Sequence, residues 1–273
     1  MSILSNCHTH TQFCDGRSTA EEMVLSALDK GFVSLGFSSH APQKYDFPYC
    51  VVPEKEEEYR AEVLRLREKY HDRIRIYLGM ERDLFSCADP EKYDYYLASV
   101  HYIPTFTGYA SVDGTPERVA DYIKNELNGN GFAFAQKYFE LLCGYAKAWK
   151  PPIIGHFDLF RKNNSKLHFL DEDSTAYKDM VVKVLHHIRE SGAMLEVNTG
   201  AMARGYMESQ YPNDFALSVW AKLGGEVIVS SDCHNAEYLN CNFDKMPSLL
   251  ATLGFDHTVR LGAKDTLFER IPL

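Results

Sequence analysis

Short apolar runs rich in β-branched and aromatic residues alternate with longer helical patterns along the chain. The predicted strands cover residues 3–7, 34–38, 74–79, 95–100, 153–155, 194–197 and 227–230, with an eighth near Val259. This alternation is typical of a parallel sheet whose strands are connected by helical crossovers. Seven or eight such units in 273 residues, a length near the ~250 residues of a typical (β/α) barrel, favour a barrel over an open sheet.

The stretches between the strands carry signals for helix starts. Thr19-Ala20-Glu21-Glu22 predicts a capping box, and Thr115-Pro116 predicts an N-cap followed by proline at the first helical position. Further helices are predicted over 54–70, 132–149, 174–191 and 213–223. Segments 41–53 and 104–114 are rich in Pro, Gly, Tyr and Phe and are predicted to be long loops over one end of the barrel. We expect a single domain over residues 1–273.

Charge, cysteine content and the distribution of apolar residues exclude several classes of protein. The net charge of −9 argues against nucleic acid, because phosphate binding needs clustered Lys and Arg. The seven cysteines form no C-x-x-C pair and are odd in number, which indicates neither a zinc ribbon nor a disulfide framework. The N-terminus does not resemble a signal peptide, and no apolar segment approaches the ~20 residues that span a bilayer. We expect a cytoplasmic protein with no membrane partner and leave its oligomeric state open.

Side chains that can bind metal follow nearly every predicted strand. In strand order they are His8 with His10, His40, Glu81, His101, His156, Glu196 with Asn198, and Asp232 with His234. Residues i and i+2 of a strand share a face, so His8 and His10 can bind one ion. The carboxyl ends of barrel strands form one face, where the other side chains would join them. Imidazoles and carboxylates without thiolates suit Zn, Mn or Fe.

Each of these residues has an ordinary structural interpretation when it is taken alone. His40 could be satisfied by a backbone carbonyl, Glu81 could form an ion pair, and Asp15 or Asp158 could cap a helix. The metal interpretation is favoured because six histidines share one predicted face. The remaining histidines fall on helical faces or in loops and are interpreted as structural: His71, His168, His186, His187 and His257.

At these residues the chain resembles the polymerase and histidinol phosphatase (PHP) superfamily, and within it the monofunctional histidinol-phosphatases. The matching motifs are H-T-H at 8–10 with Asp15, S-S-H at 38–40, G-M-E-R-D at 79–83, S-V-H at 99–101, G-H-F-D at 155–158 and S-D-C-H at 231–234. As an ordered set they are specific for the superfamily and less specific for the substrate. The resemblance implies an α/β fold, a distorted (β/α)₇ TIM-like barrel with a metal site at the carboxyl ends of its strands.

The same resemblance implies a trinuclear centre of divalent ions, which would be Zn, Mn or Fe. The implied ligands are His8, His10, Glu81 and Asp232 for the first ion, Glu81, His101 and His156 for the second, and Asp15, His40 and His234 for the third. Some members have histidine where this chain has Asp15, whose hard oxygen would favour Mn or Fe. Glu81, Asp232 and His234 would be catalytic, together with a hydroxide bridging the first two ions.

The inferred reaction is hydrolysis of a phosphate monoester by that hydroxide, since metal binding lowers the pKa of water to about 7. The resemblance favours L-histidinol phosphate as the substrate, giving L-histidinol and phosphate in histidine biosynthesis. Arg161 and Arg204 could clamp the phosphate, although both could equally be solvated loop cations. Asp83 could hold a substrate ammonium, and Glu196 and Asn198 could line the same pocket.

Two other functions stay open. A PHP phosphoesterase with the same ligands could act on another small ester, such as a nucleotide or a sugar phosphate. A polymerase-associated or inactive metal-binding PHP module would belong to a different class. The complete ligand set and the acidic charge disfavour that class, because binding nucleic acid would require a basic groove.

Overall fold

The computed structural model describes residues 3–43 and 49–273. Its strands are β1 (Ser5–Asn6), β2 (Ser34–Phe37), β3 (Arg75–Asp83), β4 (Tyr95–Ser99), β5 (Tyr102–Pro104), β6 (Tyr109–Ser111), β7 (Ile153–Ile154), β8 (Met194–Asn198), β9 (Val227–Ser230), β10 (His257–Leu261) and β11 (Phe268–Pro272). Its α-helices are α1 (Ala20–Asp29), α2 (Glu56–Lys69), α3 (Pro116–Glu126), α4 (Gly131–Trp149), α5 (Arg161–Leu167), α6 (Thr175–Ser191), α7 (Gly200–Ala203), α8 (Asp214–Lys222) and α9 (Met246–Thr252). The predicted alternation of strands and helices is confirmed.

One sheet contains nine of these strands, in the order β1-β2-β3-β4-β7-β8-β9-β10-β11. Its neighbours pair in parallel from β1 to β10, and β11 returns antiparallel to β10. Across the described ranges, no continuous ladder joins β1 to β9. A single parallel bridge, between Thr9 and Cys233, connects the segments that follow these two strands. The predicted parallel sheet is confirmed, and its ring is incompletely closed.

Three strand assignments differ from the prediction, one of them in a separate two-stranded sheet made of β5 and β6. Strand β3 continues past Gly79 to Asp83, because β4 pairs with it from Gly79–Tyr95 to Asp83–Ser99. The predicted loop 104–114 contains β6, which forms an antiparallel hairpin with β5. The terminal strand β11 was not predicted, since Glu269 and Arg270 interrupt its apolar pattern. The other predicted loop, 41–53, includes residues 44–48, which lie outside the described residues.

The predicted helix starts are confirmed. Thr19 caps α1 in a capping box with Glu22, and Thr115 caps α3 with Pro116 in its first turn. The helices α5, α7 and α9 were not predicted, because segments of four to seven residues are too short to show a helical period. Among the helices in the described ranges, none combines the length and the apolar character needed to span a bilayer.

Tyr95 fills the interior of the barrel below the carboxyl ends of the strands. Its ring lies against Gly36 and Gly79, and its hydroxyl donates to the backbone oxygen of Cys7 (2.6 Å). A Cβ atom at position 79 would lie 2.4 Å from Tyr95 Cζ and 2.8 Å from the backbone oxygen of Phe37. Glycine is therefore required at position 79 because the tyrosine ring approaches the backbone so closely.

Gly79→Ala is expected to lower the free energy of unfolding by about 1–3 kcal/mol, the usual cost of overpacking a filled core. Gly144→Ala is the matched control, because Gly144 is exposed in α4 and a Cβ there would meet nothing within 4 Å. Removing this helical glycine is expected to stabilise the protein by about 0.5–1 kcal/mol. Urea unfolding followed by circular dichroism measures both changes. A Gly79→Ala protein as stable as the wild type would contradict the described packing.

Candidate metal centre

The carboxyl ends of the parallel strands bring the nine predicted metal ligands to one end of the sheet. They are His8, His10 and Asp15 after β1, His40 after β2, Glu81 within β3, His101 after β4, His156 after β7, and Asp232 and His234 after β9. A parallel bridge between His40 and Glu81 aligns two of these segments. Asp232 has a φ of 47°, in the left-handed region, so the chain turns sharply between Asp232 and the next ligand.

Glu81 lies at the centre of this arrangement, with its carboxylate almost completely buried. Its Oε2 atom lies 2.9 Å from His40 Nδ1 and 3.2 Å from His8 Nε2. Its Oε1 atom lies 2.8 Å from His156 Nε2 and 3.3 Å from His101 Nε2. One carboxylate therefore contacts imidazoles that come from four different strand ends, which is the arrangement a bridging ligand requires.

Three groups of potential ligand atoms are compact enough to hold a metal ion each. Within each group, the atoms lie within 4.8 Å of one another. The groups are His8 with His10 and Asp232, His40 with Glu81 and His101, and His10 with Asp15, His40 and His234. They overlap with the three ligand sets that the sequence resemblance implied but differ in membership: His10 and His40 each belong to two groups, Glu81 belongs to one, and His156 belongs to none.

The buried donor atoms of this cluster fit a divalent cation. In the described part of the chain, the Nε2 atoms of His8 and His10 are buried and make no hydrogen bond. His8 Nδ1 lies 2.5 Å from Glu196 Oε1 and its Nε2 atom faces Glu81 and Asp232, so loss of the Nε2 proton would free a lone pair for a metal ion there. A buried polar atom without a partner is costly, and a metal ion at this position would satisfy it.

The charges in the cluster favour a bound cation. Burial alone would raise the pKa of Glu81, yet the neighbouring imidazoles, His40 foremost, hold that pKa well below its usual value. Burial would lower the pKa of His8, but the carboxylates around it, Glu196 foremost, raise it well above its usual value. Burial and neighbouring imidazoles lower the pKa of His10 to about 3, so its ring is neutral and able to bind metal. The carboxylates are thus ionised and need cations beside them.

A pocket of about 750 Å³ opens over this cluster. Besides the ligand side chains, its lining contains cations and tyrosines: Arg17, Arg118, Lys162, Arg204, Tyr49, Tyr102, Tyr206, Tyr211 and Tyr238. Lys162 Nζ donates to the backbone oxygen of Asp113 (2.8 Å) and lies 5.0 Å from the centre of the Tyr206 ring. Sequence reasoning missed Arg17, Asp113 and Lys162. Lys162 follows Arg161 directly, and that position beyond a strand end was its one available signal.

The two predicted phosphate-binding arginines have different surroundings. Arg204 lines the pocket, and its Nη2 donates to Asp232 Oδ2 (3.0 Å) while Nη1 lies 3.3 Å from His234 Nδ1. Arg161 lies outside the pocket lining, and its Nε donates to Glu172 Oε2 (2.7 Å). Its Nη1 donates to the backbone oxygen of Gln210 (3.1 Å), in the loop between α7 and α8. Arg204 is therefore the predicted clamp that the structure places beside the metal ligands.

The other three predicted substrate-binding residues are buried behind the cluster. Asp83 accepts a hydrogen bond from the backbone nitrogen of His101 (2.8 Å). Glu196 is fully buried and accepts from His8, and Asn198 Nδ2 donates to Glu196 Oε2 (3.0 Å). In the structure Asp83 and Glu196 contact ligand histidines, Asn198 contacts Glu196, and none of the three lines the pocket. Their positions suit the support of metal ligands.

Comparisons with known proteins identify the family to which the chain belongs. The family model of the PHP domain matches residues 6–200. A Deinococcus radiodurans protein named "Probable histidinol-phosphatase" is 29% identical over 245 residues, which cover 86% of this chain and 87% of that protein. The Bacillus subtilis protein named histidinol-phosphatase is 26% identical over 252 residues, which cover 84% of this chain and 92% of that protein.

A solved structure has the same architecture. It is the crystal structure of histidinol phosphate phosphatase from Lactococcus lactis, complexed with zinc, L-histidinol and phosphate. It matches with a TM-score of 0.69 and 18% identity, covering 95% of this chain and 97% of that one. The predicted distorted TIM-like barrel is confirmed by this likeness. Because the family model matches most of the sequence, the chain belongs to the PHP domain family.

Proposed function

We propose that this protein is a metal-dependent phosphate monoester hydrolase that converts L-histidinol phosphate and water into L-histidinol and phosphate. The observation that carries the proposal is the convergence of imidazoles from four strand ends on Glu81 in a pocket that also contains Arg204. Two relatives that cover most of the chain are named as histidinol-phosphatases, and the Lactococcus lactis structure contains zinc, L-histidinol and phosphate. These relatives support the same substrate here.

Three divalent ions, Zn, Mn or Fe, would be held by the nine ligand residues. We assign His8, His10, Glu81 and Asp232 to the first ion, Glu81, His101 and His156 to the second, and Asp15, His40 and His234 to the third. The compact groups of ligand atoms and the buried Nε2 atoms of two histidines support most of this assignment. The place of His156 is supported by its Nε2 atom, which lies 2.8 Å from Glu81 Oε1. The mixture of imidazole and carboxylate ligands suits these metals.

The residues of the chain would orient the ester and hold the metal ions that activate the attacking water. Bound divalent ions supply positive charge to the phosphoryl oxygens and lower the pKa of a coordinated water. Arg204 presents a guanidinium fork that suits phosphate oxygens. Burial opposes ionisation of Asp232, but Arg204 foremost holds the pKa of this carboxyl well below its usual value. Asp232 is therefore ionised and able to hold a cation, and with Glu81 and His234 it forms the proposed catalytic set around the water that a bound metal would activate.

Glu196→Gln is expected to weaken metal binding by about 10- to 100-fold, the typical cost of losing a partner behind a metal ligand. The amide has the shape of the carboxylate but lacks the negative charge that orients His8 through Nδ1. Titration of the metal-free protein against a competing chelator measures the change. Glu190→Gln, at an exposed position of α6, is the matched control. Equal metal affinities for the wild type and Glu196→Gln would contradict a supporting role for Glu196.

Phosphate release from a panel of esters tests the proposed function. The panel contains L-histidinol phosphate, a nucleoside monophosphate and a sugar phosphate, offered to purified protein loaded with Zn or Mn. Selective turnover of L-histidinol phosphate is the expected result. Preference for another ester would contradict L-histidinol phosphate as the substrate and would still support phosphate monoester hydrolysis as the activity. Absence of turnover with metal bound would overturn both and indicate a metal-binding module.

A further inference from the structure

The barrel has a seam, which we define as the junction between residues 5–10 and residues 230–234. Strand β1 leads into His8 and His10 on one side, and β9 leads into Asp232 and His234 on the other. Across the described seam, backbone pairing is limited to one bridge, where His10 N donates to Cys233 O (2.8 Å) and Cys233 N donates to His8 O (3.0 Å). The spacing of the two ligand pairs must therefore depend on additional contacts.

The side chain of Asn6 crosses the seam and is completely buried. Its Oδ1 atom accepts hydrogen bonds from His8 N (2.9 Å) and from Ser231 N (3.4 Å). Its Nδ2 atom donates to Ser231 Oγ (2.6 Å) and to the backbone oxygen of Leu239 (2.9 Å). An amide side chain has two acceptor sites and two donor hydrogens, so Asn6 uses its full capacity.

We propose that Asn6 is a positioning residue that sets the spacing between the ligands of β1 and those of β9; this inference rests on the proposed metal centre. A single oxygen, Oδ1, accepts from the backbone of the ligand His8 on one side and from the backbone of Ser231, next to the ligand Asp232, on the other. This shared acceptor limits how far the two segments can separate. Across the seam, His10 Nε2 lies 3.1 Å from Asp232 Oδ1. Aspartate lacks the donors that Leu239 O and Ser231 Oγ accept, so an amide is required.

Two variants weaken this connection, and one variant serves as the control. Asn6→Ala removes all four hydrogen bonds, while Ser231→Ala removes the hydroxyl that accepts from Asn6 and donates to Leu239 O (2.9 Å). Thr258→Val is the control, because buried Thr258 Oγ1 donates to Val227 O (2.9 Å) at the opposite end of β9. It removes a buried hydrogen bond to the same strand without changing the seam.

The test measures zinc release to a chelator, the visible absorption of cobalt-loaded protein and the Tm of metal-free protein. Asn6→Ala and Ser231→Ala are expected to release zinc about 10- to 100-fold faster and to shift the cobalt absorption. Thr258→Val is expected to lower the Tm and to leave both metal measurements at the wild-type values. If Asn6→Ala does not fold, the metal measurements on Ser231→Ala decide whether the contacts of Asn6 across the seam position the ligands.

Two results would overturn the inference in distinguishable ways. Folded seam variants with wild-type zinc release and wild-type cobalt absorption would overturn the role of Asn6 and leave the metal centre intact. A wild-type protein that binds neither zinc nor cobalt would overturn the metal centre, and the role of Asn6 with it.

Discussion

Glu81→Ala is expected to lose bound metal and phosphatase activity together, with kcat/KM falling by more than the ~10- to 100-fold that loss of a supporting partner costs. The reason is that this one buried carboxylate contacts the imidazoles of His8, His40, His101 and His156. Without Glu81, the imidazoles remain and the carboxylate between them is lost. The metal-to-protein ratio and the rate of phosphate release measure the two losses.

One further variant separates the charge of Glu81 from its shape, and a second variant, at another position, is the control. Glu81→Gln keeps the volume of the side chain and is expected to lose metal as well, because the bridging charge is removed. Glu190→Ala, on the exposed side of α6, is expected to behave as the wild type. An active Glu81→Ala protein with the wild-type metal content would contradict the bridging role.

Arg204→Ala is expected to lower kcat/KM by about 10²- to 10³-fold, the usual cost of removing a donor that stabilises developing charge. Its guanidinium is held beside the cluster by Asp232 Oδ2 and by the backbone oxygen of Asp232 (2.9 Å). Arg204→Lys should recover part of the loss, because lysine keeps the charge and lacks the planar fork. Steady-state kinetics with L-histidinol phosphate measures both variants, and unchanged kcat/KM in Arg204→Ala would rule out the phosphate clamp.

Arg161→Ala, unlike Arg204→Ala, is expected to lower the stability of the folded protein. Arg161 binds Glu172 and lies 3.8 Å from Asp158, which is completely buried. Burial raises the pKa of Asp158 to about 6 even beside this arginine. Removing the cation from a buried pair costs about 3–5 kcal/mol, so the free energy of unfolding should fall by that order. Denaturant unfolding measures it, and an Arg161→Ala protein of wild-type stability would contradict this placement.

The positions of the candidate ligands could be predicted because they depend on local rules. Residues i and i+2 of a strand share a face, which placed His8 beside His10. The carboxyl ends of parallel strands lie together, which placed Asp232 near both of them. The error in the end of β3 did not change the face predicted for Glu81, because β3 continues to Asp83 and Glu81 lies two residues beyond Gly79 within it.

The substrate side of the site could not be predicted in this way. Arg161 and Arg204 both follow strand-end motifs, so the local sequence predicts the same phosphate-binding role for each. Their directions are set by distant partners, since Arg204 binds Asp232 and Arg161 binds the loop that contains Gln210. For the same reason, the roles of Glu196 and Lys162 depend on contacts that no local pattern records.

The sequence by itself determined the kinds of donor atom and the end of the sheet at which they gather, because both follow from the order and period of the strands. Only the tertiary structure decided which donors meet and which support them. His8 and Glu196 are 188 residues apart in the chain, and Asn6 and Ser231 are 225 apart. Such contacts form where packing brings remote segments within hydrogen-bonding distance, and local periodicity carries no information about those distances.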